Sequence, residues 1–134
     1  MKVLIAYDGS DSAKRALEIA VDLAPREAAI SVVSVVEGLP QFGRAAAMIL
    51  PEDEEESQRR LAEAGKVLAE HGTMAELVER RGDAATAILD EAEKEGTGLI
   101  VMGTRGLSTI ERWFLGSVST KVLQHSRCSV LVVR

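Results

Sequence analysis

Apolar residues along this chain follow two alternating rhythms. Val3-Leu4-Ile5-Ala6-Tyr7 is a short unbroken run, the form taken by a strand buried on both faces, and Ile30 to Val36 is a second strand, rich in valine. Between them, Ala13, Ala16, Leu17, Ala20, Leu23 and Ala24 recur at helical spacing, with Ser10 or Asp11 placed to cap the start and Pro25 at the far end. Gly38 to Pro51 reads as a loop, with a short helix over Ala45 to Leu50. The acidic run Glu52 to Glu56 suits the positive end of a helix whose inner face is Leu61, Ala64, Leu68 and Ala69 and which Gly72 ends. Ala75 to Val78 is a weaker third strand. Asp83 can cap a helix that buries Ala84, Ile88, Leu89 and Ala92 and closes at Gly96. Leu99 to Met102, a helix carrying Val118, Val122 and Leu123, and the strand Val130 to Val133 complete the pattern.

Five strands joined by helical crossovers predict an α/β fold with a parallel sheet covered on both faces. In such sheets a ligand lies beyond the carboxyl ends of the strands, where the strand order reverses. Asp8 follows the first strand and the glycines after Met102 follow the fourth, so both belong to that edge.

With 134 residues and 46 % apolar content, the chain fits a single domain spanning residues 1–134. It contains no apolar run of the roughly 18 residues a membrane span needs. Cys128 is the lone cysteine and the first strand begins almost at once, so a cytoplasmic setting is the reading. The net charge is −5, and Arg59-Arg60 and Arg80-Arg81 are isolated pairs with the look of solvated side chains, which argues against a nucleic-acid partner.

The candidate chemistry lies in "VMGTRGLSTIERWFLGSVS". Gly103 and Gly106 sit three apart after a strand, and nine residues later Gly116-Ser117 opens a helix. Glycine after a strand can turn left-handed and lets a ligand approach the backbone. A helix start offers free N–H groups and the dipole to an anion. Two such edges suit a chain of phosphates, with Ser117 and Ser119 as further donors. The segment between them carries Ile110, Trp113, Phe114 and Leu115, which calls for a packed excursion. The same glycines also serve as plain turns, and spacing by itself leaves both readings open. Neither the P-loop pattern nor the dinucleotide fingerprint is present.

Along its whole length the sequence resembles the universal stress protein family. Gly103, Gly106, Gly116 and Ser117 match the G-x-x-G-x9-G-[ST] pattern of that family's ATP-binding subgroup, and "VLIAYDGSDSAKRAL", "GLIVMGTRG" and "GSVSTKVLQHSRCSVLVVR" resemble its first and last strand units. The resemblance implies a Rossmann-like sheet of order 3-2-1-4-5, ATP with Mg2+ as cofactor, and a homodimer. Residue by residue, it implies that Ala6, Tyr7 and Asp8 meet the adenosine half. Val35 would present its backbone to adenine. Met102, Gly103, Arg105 and Gly106 would surround ribose and phosphates, and Gly116, Ser117, Val118 and Ser119 would hold the phosphates. Ser129 departs from the proline often found before the family's last strand. The apolar, β-branched strand Ser129 to Val133, at a sheet edge in that order, predicts the dimer contact.

His71 and His125 stand near helix C-termini without metal-ligand spacing around them, and Cys128 reads as a small buried residue. The leading functional reading is a regulatory protein with ATP occupancy as the signal. A slow ATPase is the alternative, although no general base for water stands out. A phospho-receiver fails because Asp8 has no acidic neighbour before Ser10 and the chain stops right after the last strand.

Overall fold

The computed structural model describes residues 1–37, 49–104 and 115–134. Five strands, β1 (Lys2–Ala6), β2 (Ala29–Val36), β3 (Ala75–Arg81), β4 (Leu99–Gly103) and β5 (Ser129–Val133), form one parallel sheet of order β3-β2-β1-β4-β5. Helices α1 (Asp11–Leu23), α2 (Pro51–Glu70), α3 (Ala84–Glu95) and α4 (Ser117–His125) connect them. The order reverses between β1 and β4, whose register pairs Ala6 with Met102.

Alternation along each strand divides the core in two. Val3 and Ile5 of β1, with Val32 and Val101, face α1 and α2 through Ala13, Leu17, Leu61 and Leu68. Leu4 and Ala6, with Val33, Ile100 and Met102, face α3 and α4 through Ala85, Ile88 and Val122. Burial on both faces is why β1 and β4 read as unbroken apolar runs.

The caps follow from residue chemistry. Ser10 Oγ accepts from Ala13 N–H at 3.2 Å and so starts α1. Asp53 reaches back to the Leu50 N–H at 3.0 Å, and Pro51 sits where a helix needs no N–H. Gly96 closes α3 at φ 66°, in the left-handed region.

Three expectations are corrected. β3 extends to Arg81 because it pairs with β2 as far as Val36, so its charged end is strand and not loop. Leu23 and Leu123 are 62 % and 41 % exposed, because the buried stripes run through Ala20 and Val122 instead. Cys128 is only half-buried, its thiol 3.4 Å from Ser126 Oγ. Of the short helix expected over Ala45 to Leu50, residues 45–48 lie outside the described residues, and Ile49-Leu50 is not helical.

Asp83 caps α3 by accepting from the Thr86 N–H at 3.0 Å and hydroxyl at 2.7 Å, and Lys121 of α4 donates to the same oxygen at 3.0 Å. The Thr86 hydroxyl and N–H, then Lys121, hold its carboxyl down at about 2, against an ordinary 3.8. A depressed carboxyl stabilises the fold above its unfolded value and loses that contribution as pH falls through the folded one. Asp83→Ala is therefore expected to cost about 1 kcal/mol near neutrality. That difference should shrink between pH 4 and pH 2. Asp83→Asn, which keeps the cap but not the charge, should flatten the acid limb. Urea midpoints across this range check both.

Candidate functional site

At the carboxyl edge of the sheet, between β1 and β4, lies a cleft of about 240 Å3. β1 delivers Ala6, and Tyr7 and Asp8 follow it. The backbone continues this pairing past the strand, since Tyr7 N–H donates to the Val33 carbonyl at 2.9 Å. Gly9 then turns at φ 79°, a left-handed conformation that favours glycine. Asp8 Oδ1 accepts from Ser10 N–H at 3.0 Å and holds that turn.

Tyr7 is buried, and its hydroxyl donates to Glu63 Oε1 of α2 at 2.6 Å. Burial first, then the Glu63 carboxylate, push the phenol well above its ordinary value, so it stays protonated as a donor. The Tyr7 hydroxyl, assisted by Lys14, in turn holds Glu63 below the usual carboxylate range against the effect of its partial burial.

From β2 and its end the cleft receives Val33, Val35, Val36 and the following Glu37, and from β4 Met102, Gly103 and the following Thr104. Gly103 is a glycine for a reason the motif does not state. It does not turn left-handed. A Cβ there would stand 2.6 Å from Ala13 N and 2.7 Å from the Ser12 carbonyl carbon, also overlapping Ser12 Oγ. The start of α1 packs directly on this backbone. Thr104 N–H, which a concave loop would offer to a ligand, donates to the Val133 carbonyl at 3.1 Å.

On the far side, Gly116 is the cap of α4 and brings no side chain to its first turn. Gly116, Val118 and Ser119 put that turn at the cleft, and among the described residues no side chain caps it, the arrangement that attracts anions. Ser119 lines the cleft, but its hydroxyl donates to the Gly116 carbonyl at 3.0 Å. Val118 lines it as well. Ser117 is exposed and does not line it.

Of the residues singled out from sequence, Ala6, Tyr7, Asp8, Val35, Met102, Gly103, Gly116, Val118 and Ser119 converge on this cleft. Arg105, Gly106, Ile110, Trp113 and Phe114 lie outside the described residues, and Leu115 is 41 % exposed. Asp53, Glu56 and Arg60 of α2, Glu37, and Ala84 and Ile88 of α3 line the cleft without having been foreseen. Helical spacing held the signal, since Asp53, Ser57, Arg60, Ala64 and Leu68 lie on one stripe.

Among the described residues, no group of three or more His, Cys, Asp or Glu side chains could hold a metal ion. His71 lies as expected at a helix C-terminus, its Nδ1 2.9 Å from the Val67 carbonyl. Among the same residues, no helix is long and apolar enough to cross a membrane.

Fold and cleft together define a doubly wound α/β protein open at its switch point. The chain belongs to the universal stress protein family, whose model matches residues 1–134. Universal stress protein YxiE of Bacillus subtilis is 37 % identical over 145 residues, covering 99 % of this chain and 98 % of the relative. The structure of the universal stress protein from Archaeoglobus fulgidus in complex with dAMP superimposes with a TM-score of 0.78 at 26 % identity, covering 100 % of this chain and 98 % of that one. A universal stress protein in complex with cAMP gives 0.77 at 28 % identity, covering 100 % and 97 %.

The contact at Gly103 generates a test independent of any ligand. Gly103→Ala places its methyl inside the start of α1. The strain is expected to cost about 1–3 kcal/mol, as overpacking does. A urea unfolding curve that matches the wild type would refute the close contact.

Proposed function

We propose that this protein binds adenine nucleotides in the cleft between β1 and β4, and that occupancy is its regulatory signal in a stress response. The observation that carries this reading is an apolar slot and a helix start, without a side-chain cap among the described residues, at the same cleft. Val33, Val35, Ala84, Ile88 and Val118 line the slot and suit a flat base, while the first turn of α4 suits a phosphate. Relatives of the same fold with bound dAMP and cAMP support the choice of adenine. In this reading Ala6, Tyr7, Asp8 and Val35 take the adenosine half. Met102, Gly103, Arg105 and Gly106 take ribose and phosphates, and Gly116 to Ser119 the phosphates. ATP with Mg2+ is the form that the glycine pattern favours, in the cytoplasm.

The same reading includes a homodimer through β5. Among the described residues this strand pairs only with β4, and Val130, Leu131 and Val132 along it are half-buried. An apolar edge with unpaired backbone groups is a template for a second copy, and a two-fold axis satisfies both edges at once.

Calorimetry with AMP, ADP, ATP and cAMP, with and without magnesium, is the test of the ligand. Saturable binding of at least one adenine nucleotide is expected, with guanine analogues weaker. Chromatography of nucleotide released by denaturing the purified protein is the second readout. No adenine nucleotide by either route overturns the reading. For assembly, light scattering coupled to gel filtration is expected to give twice the 14.4 kDa chain mass. A stable monomer at tens of micromolar rules the dimer out.

A further inference from the structure

The cleft receives one α2 side chain that the motifs of the sequence do not mark. Arg60 lines it, and among the described lining residues Arg60 is the sole cationic side chain, beside the carboxylates of Asp8, Glu37, Asp53 and Glu56. Those four carboxylates are not equivalent. Asp8 accepts from the Ser10 N–H, Glu37 from the Ala84 N–H at 3.4 Å, and Asp53 from the Leu50 N–H. Each of these three is bonded to backbone that starts a turn or a helix. Glu56 instead accepts from Arg60 at 2.7 Å, one helical turn away.

The Arg60 stem packs against backbone, and its guanidinium meets Glu56. A Cβ on Gly9 would lie 3.4 Å from Arg60 Nε, 3.5 Å from Cγ and 3.7 Å from Cδ, so the stem lies flat on the glycine turn after β1. The Arg60 side chain is 31 % exposed and that of its Glu56 partner 52 %. A solvated pair of this kind on one helix contributes little to stability and is readily exchanged. A phosphate offers a guanidinium a bidentate, charge-assisted contact that such a carboxylate does not match.

We infer that Arg60 is a further ligand-positioning residue of the cleft, released from Glu56 to hold an anionic group of the bound nucleotide. This inference rests on the nucleotide reading above and deepens it. Glu56 acts as an internal stand-in for the ligand's phosphate: it keeps the guanidinium neutralised over the cleft until a phosphate displaces it. Arg60 also borders an outer groove shared with Asp8, Gly9, Arg59 and Glu63, so its guanidinium lies where the cleft meets solvent.

Titration calorimetry of AMP against adenosine tests this on the full chain. Arg60→Gln keeps a stem over Gly9 and removes the charge. Its affinity for AMP is expected to fall about tenfold, the size of a lost charged hydrogen bond. Its affinity for adenosine should fall less than twofold. Arg60→Lys should recover part of the loss. Glu56→Gln should raise AMP affinity a few-fold by freeing the guanidinium. Equal losses for AMP and adenosine, or AMP binding unchanged in Arg60→Gln, overturn the assignment while leaving the nucleotide reading intact. Wild-type protein that binds no adenine nucleotide overturns both. Circular dichroism and urea midpoints of each variant keep a folding defect from passing for a binding one.

Discussion

The close approach of α1 to the end of β4 governs everything at the cleft. Gly103 lets Ser12 and Ala13 sit where a side chain would otherwise stand. That contact draws the β1–α1 turn and the end of β4 together over the point where strand order reverses. Without it, Asp8 on one side and Gly116 on the other would not border a single cavity. The glycine is thus required first by packing, and the room it leaves for a ligand is a consequence of where the helix start comes to rest.

The lining presents an electrostatic problem and its solution in the same residues. Carboxylates around a site for an anion would repel it if they were unengaged. Asp8, Glu37 and Asp53 accept from backbone N–H groups at the beginnings of α1, α3 and α2, so their charge is drawn toward the donors of the chain itself. Buried Glu91 shows the same economy away from the cleft, where Arg80 forks onto both of its oxygens. Charge in this protein is placed to hold helix ends and strand edges, and a ligand meets what remains.

Much of the fold was legible because the central strands are buried on both faces. β1 and β4 announce themselves as apolar runs and β2 by its valines, and Ser10, Asp83 and Gly96 mark helix ends by chemistry that acts locally. The end of β3 was not legible, because Glu79, Arg80 and Arg81 lie on an edge strand where polar side chains are tolerated. The cleft was legible in part. Asp8, Gly103 and Gly116 stand next to strand and helix ends, where position follows from topology. Asp53, Glu56 and Arg60 come from a helix remote in sequence, and the packing of α2 on β2 and β3 brings them to the cleft. Their stripe gave a face, but nothing in the sequence said what that face would meet.

The two rims of the sheet are built unequally. β3 ends one rim with Glu76, Glu79, Arg80 and Arg81, while β5 ends the other with Val130, Leu131 and Val132. Strand addition along a sheet needs a receptive rim at both ends of each building block if it is to propagate. Here a charged rim meets incoming backbone with side chains that must be desolvated. In the proposed dimer such a sheet would be lengthened at β5 alone. Growth would then stop after a single joining event, and the strand order itself would guard against fibre formation.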